Sequence, residues 1–118
     1  MWMSRTVGLM VRIGAIVLNV SNTRRAAAFW SQALGYQPAA NPDFLVPSET
    51  GAPRLHLDTT DCTHLDLWAA DEEEQAAEVE RLLALGATRV DWDYPKDADF
   101  VVLADPDGNL LCVINTSA

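Results

Sequence analysis

Several things are scarce in this sequence, and each shortage removes a class of function. Only two of its 118 residues are cysteine, Cys62 and Cys112. Two thiols build no disulfide framework and suit a reducing compartment. Basic side chains number 8 against 17 acidic ones, a formal charge of −9. Such a field repels a phosphate backbone and an anionic bilayer, so neither nucleic acid nor a membrane is expected as partner. No P-loop, GxGxxG, CxxC or nucleophile-elbow pattern occurs anywhere. Long apolar runs are missing too. The opening "MWMSRTVGLMVRIGAIVLNV" is broken by Arg5 and Arg12 and offers no small-x-small cleavage site. It is too short and too charged to span a bilayer. It reads as an extended leader running into a first strand, and the protein is expected in the cytoplasm.

What is present is ordinary for a folded chain: 49% hydrophobic and 21% charged residues. That composition and length support one domain over residues 1–118. The chain is also written twice. "AIVLNVSNTRRAAAFWSQALGY" and "HLDLWAADEEEQAAEVERLLALGA" each give an alternating strand, a polar cap and a helix closing on Leu-Gly. "FLVPSETGAPRLHLDT" and "FVVLADPDGNLLCVIN" align without a gap from Phe44 and Phe100, each a strand, a turn and a strand. The expected modules are about 13–59 and 63–116.

The first helix is expected to bury Ala26, Phe29, Trp30, Ala33 and Leu34, which recur at helical spacing, with Gly35 as stop. In the second, Asp71 caps with Glu74 three residues on. Glu72, Glu73 and Glu74 form a solvated start that the helix dipole favours. Val79, Leu82 and Leu83 face inward. Along the strands, Leu55 and Leu57 alternate with Arg54, His56 and Asp58, and Leu65 and Leu67 with His64, Asp66 and Trp68. The aliphatic face should pack on a helix. The opposite face, with Asn, Arg, His, Asp, Trp and Cys, is either wetted or the wall of a cavity.

The duplicated modules, "VSN" and "AAD" before the helices, "LGY" and "LGA" after them, and "DPDGN" before the last strand resemble the vicinal oxygen chelate superfamily. That superfamily comprises glyoxalase I, bleomycin-resistance proteins, ring-cleaving dioxygenases and relatives. "HLDL" before an acidic helix and "GNLLCV" near the end look most similar to its glyoxalase-like domains. The resemblance implies an α+β fold of two tandem βαβββ modules. Their curved mixed sheets would form an open barrel-like cleft with the helices outside. In metal-using members four strand positions converge on an ion. Mapped here, those positions hold Ala15, His56, His64 and Cys112. Ala15 has no donor and neither usual Glu is present, so the pattern is broken at three of four positions.

The expectation is therefore a cleft lined by Asn19, His56, His64, Asp66, Trp68 and Cys112. It would bind a small metabolite or an antibiotic-like molecule without the usual metal, with no cofactor. Cys112 is then a small apolar filler. Arg54 on the same face could bind an acidic group, though pairing with one of the many carboxylates is its blander role. The alternative is an enzyme of lyase, isomerase or dioxygenase type. It would use a divalent metal such as zinc on His56, His64 and Cys112, or a His–Asp general base drawn from His64, Asp66 and His56. Trp92, Tyr94 and Phe100 are either core or ligand wall. An open barrel leaves strand edges, so a homodimer is expected.

Overall fold

Two helices and eight strands account for the regular structure among residues 10–118, which the computed structural model describes. The leader expected at the N-terminus lies outside the described residues. The order is β1 (Arg12–Asn19), α1 (Thr23–Leu34), β2 (Gln37–Pro38), β3 (Phe44–Val46) and β4 (Arg54–Asp58). It then repeats as β5 (His64–Ala69), α2 (Glu72–Ala84), β6 (Thr88–Arg89), β7 (Phe100–Ala104) and β8 (Leu110–Asn115). This is an α+β fold with the βαβββ pattern twice. No described helix is long and apolar enough to cross a membrane.

The chain divides into two compact units, Gly14–Leu65 and Asp66–Ala118, the latter joined by the described residues before Gly14. The first orders its strands β2-β3-β4-β1. There β1 runs parallel to β4 (Ala15 opposite Arg54, Val17 opposite His56), and β3 is antiparallel to β4. The parallel pair is possible because α1 carries the chain back across the sheet. The second orders its strands β5-β8-β7-β6, with β7 and β8 an antiparallel hairpin.

Alternation puts one apolar set per unit under a helix. Leu45, Leu55 and Leu57 are buried, with Ile16, Leu18, Ala26, Ala27 and Trp30 against them. In the other unit Ala69, Val79, Leu103 and Val113 are buried, flanked by Leu82, Leu83 and Leu111. The helix α1 departs from its expected stripe. Phe29 is 62% exposed and Leu34 also reaches solvent, because Ala26, Ala27 and Trp30 form the packed side. Leu65 is likewise exposed, since the α2 core sits at the Ala69 end of β5.

Caps explain where the helices begin and end. Asn22 accepts from the Arg25 N–H at 2.9 Å, and Gly35 closes α1 in the left-handed region at φ 73°. Asp71 accepts from the Glu74 N–H, while Glu74 reaches back to the Ala70 N–H, both at 2.8 Å. This reciprocal arrangement contributes about 1 kcal/mol. In the DPDGN turn the Asp105 carboxylate accepts from the backbone N–H groups of Asp107 and Asn109 and from the Asn109 amide. These bonds, that of the Asn109 side chain first, hold its pKa below the ordinary value. Gly108 takes φ 87°, which a residue with a Cβ resists.

The least legible core feature is Glu78, buried within the acidic helix. Its carboxylate takes a two-pronged grip from Arg81 at 2.7 and 2.9 Å and accepts from the Val11 N–H at 2.8 Å.

Candidate functional site

The polar faces opposite the helices carry every candidate residue, and the strand pleat puts them there. On β4, Arg54, His56 and Asp58 alternate with the buried Leu55 and Leu57. Phe44 stands directly across from His56 in the β3–β4 register. The two rings stack with centroids 4.1 Å apart and planes within 10°. The Arg54 guanidinium carbon lies 5.3 Å from the Phe44 ring centre, within reach of a cation–π contact. Its Nε is buried and, among the described residues, has no hydrogen-bond partner. The bland role for Arg54, neutralising a carboxylate, thus leaves its Nε–H unused.

His56 and Asp58, two residues apart, lean together until Nε2 and Oδ2 are 3.8 Å apart. That is an ion-pair distance for a charged imidazole but too long for a hydrogen bond. The other oxygen of Asp58 accepts from the N–H groups of Asp61 and Thr60 and from the Thr60 hydroxyl. Those bonds, with His56 a lesser cause, pull its pKa down to about 2. Asp58 is therefore a fixed carboxylate near neutrality and a poor proton carrier. Asn19, on β1, holds the connection after β4: its amide donates to the Asp61 carbonyl at 2.7 Å and its N–H to Thr63 Oγ1.

A second constellation lies at the start of β5. Asp61, Cys62 and His64 each offer one potential ligand atom, and these atoms all lie within 4.8 Å of one another. His64 Nδ1 lies 2.7 Å from the Cys62 carbonyl. The neutral ring then carries its proton on Nδ1, leaving Nε2 with the lone pair. His56 is not in that group; its ring stacks on Phe44 and faces Asp58. Trp68 receives Arg12 over its ring at 5.6 Å. Tyr94 packs on Phe100 and accepts from the Val102 N–H. Trp92 and Tyr94 are both substantially exposed.

With the two βαβββ units and these positions in place, a family model described as "Glyoxalase-like domain" matches residues 15–114. The chain belongs to the glyoxalase-like domain family. As such it falls in the vicinal oxygen chelate superfamily. No match to a curated protein sequence is found. Among solved structures, this glyoxalase-like domain is similar to an NAD-dependent benzaldehyde dehydrogenase from Legionella pneumophila. The TM-score is 0.62 at 17% identity, covering 86% of this chain and 96% of that one. It is also similar to a glyoxalase/bleomycin resistance protein from Albidiferax ferrireducens T118, with TM-score 0.40 at 21% identity, covering 86% and 96%. At 17% identity the likeness to the dehydrogenase speaks for fold alone, and its name does not transfer.

Whether the residues fit the family's metal is decided by the donors. At the four family positions Ala15 presents only a methyl group, 6% exposed, and His56 is engaged by Phe44 and Asp58. An octahedral ion held by those four positions does not fit. The oxygen, sulfur and nitrogen of Asp61, Cys62 and His64 match the ligand types of a three-donor zinc site instead. Sequence reasoning missed Phe44, although its alternation with the buried Leu45 was a usable signal.

Proposed function

We propose that this glyoxalase-like domain binds a small metabolite or antibiotic-like molecule on its polar strand faces without the family's four-ligand metal site. The observation that carries the reading is Ala15, a buried apolar side chain at a position where a ligand atom is required. The half-buried mixture of Arg54, His56, Phe44 and Asp58 supports it, because such groups are costly to shelter unless something uses them. A homodimer in a reducing, cytoplasmic setting completes the proposal, supported by a sequence with only two cysteines and by Phe29 and Leu34 on the open side of α1.

A second reading has one specific observation in its favour, the mutual approach of Asp61, Cys62 and His64. In it the domain is an enzyme of lyase, isomerase or dioxygenase type, and a zinc-like ion on those three side chains would act as Lewis acid. Metal analysis of the purified full chain separates the two. The expected result is less than about one metal per ten chains, with melting unchanged by added zinc chloride. A ligand at a hundred times its Kd would stabilise the fold by about 2.7 kcal/mol, so binding cannot pass unnoticed. Stoichiometric zinc that disappears in His64→Ala would establish the second reading and sink the first.

A further inference from the structure

We infer that the Arg54–Phe44–His56 face recognises the carboxylate of a small organic acid, with Arg54 as the group that selects it. This rests on the small-molecule reading above and adds the chemical class of the ligand.

Arg54 is the starting point because its surroundings explain its charge so poorly. Its neighbour across the β1–β4 register is Ala15, and its guanidinium lies against the Phe44 ring. Neither accepts a hydrogen bond, and Nε is buried with no partner among the described residues. Buried donors in folded proteins nearly always find an acceptor, so an orphan on a polar face asks for one from outside. Nε is also the informative atom. A planar carboxylate docks side-on by taking Nε–H together with a terminal N–H, two parallel bonds that a point cation cannot reproduce.

The rest of the strip sets polarity. Phe44 and His56, stacked at 4.1 Å, place a flat, largely apolar surface next to the guanidinium, suited to the body of an organic acid. Asp58 lies four residues from Arg54, about 13 Å along the strand, and is ionised near neutrality. It is too far to satisfy Arg54 and has the wrong sign for a second acidic group at that end. A monoanion with an uncharged tail matches this layout. In a chain of net charge −9, a local cation is needed for any acid to approach.

The test uses phenylacetate and its neutral isostere phenylacetamide with the purified full chain. Affinity is read by calorimetry, and the Phe44 and His56 ring resonances by NMR. Phenylacetate is expected to bind at least tenfold tighter than the amide and to shift both rings. Arg54→Lys keeps the charge but loses the fork, and should weaken phenylacetate at least tenfold. Arg54→Ala should abolish binding, with circular dichroism confirming that the variant folds. Equal affinity for acid and amide, or unchanged affinity in Arg54→Lys, overturns the inference. If both probes still move Phe44 and His56, the face binds small molecules by another chemistry and the broader reading survives. If neither probe moves either ring, both fall.

Discussion

Truncating Leu103 to Ala lowers the unfolding free energy by about 3 to 4 kcal/mol. Leu103 is 0% exposed and sits with Ala69, Val79 and Val113 between β7 and α2. Its strand partner is Leu111, held by the β7–β8 ladder, so the backbone around the missing atoms has little freedom to close in. The cost therefore falls in the middle to upper part of the range for such truncations, transfer and cavity together. Against a total stability of roughly 5 to 15 kcal/mol, this loss displaces melting by on the order of 15 °C. Leu85, 67% exposed at the end of α2, is the control: Leu85→Ala should stay within about 0.5 kcal/mol. Urea denaturation with an unchanged slope decides it. A loss below about 1.5 kcal/mol for Leu103→Ala would mean the second core is not built around this side chain.

Removing Arg81 comes next in size and has a distinct pH signature. The Glu78 side chain is 4% exposed, whereas Arg81 is 41% exposed and partly screened by water. Arg81→Met leaves a buried carboxylate with the Val11 N–H as its remaining donor among the described residues. The cost at pH 7 is about 2 to 3 kcal/mol, below the usual range for a broken buried pair because the guanidinium reaches solvent. In the parent chain the hydrogen bond from Arg81, followed by that from Val11 and the Arg81 charge, outweighs burial and lowers the Glu78 pKa from 4.5. A group depressed in this way stabilises the fold fully above pH 4.5 and loses that contribution as pH falls through its folded value. The gap between parent and Arg81→Met should thus be widest near neutrality and shrink as pH falls. Burial makes the unpaired acid of the variant take up its proton above pH 4.5, and below 4.5 the parent loses its own contribution. A gap that stays constant from pH 7 to pH 4 would show that Glu78 is not the partner that matters.

The repeat, the helix caps and the alternation of β4 were all legible because they depend on residues a few positions apart. Asp71 and Glu74, or Leu55 and Leu57, declare themselves by spacing. The stack of Phe44 on His56 was not legible, since it depends on the register of β3 against β4 across a seven-residue connection. Glu78 hid in an acidic run that looks like a solvated surface, and only the Val11 N–H and Arg81 reveal its role. On α1, Phe29 satisfied the helical period, yet the two small residues Ala26 and Ala27 let the helix lie closer on that side.

The interleaving on β4 has an evolutionary corollary. Because Arg54, His56 and Asp58 alternate one for one with Leu55 and Leu57, the polar chemistry of that face can be exchanged residue by residue while the packing underneath stays as it is. Insertions are another matter. One extra residue inside that strand would turn the guanidinium and imidazole onto the helix and the leucines outward, so lineages diverging from this chain are free to retune their preferences by point changes but not by changes of length there.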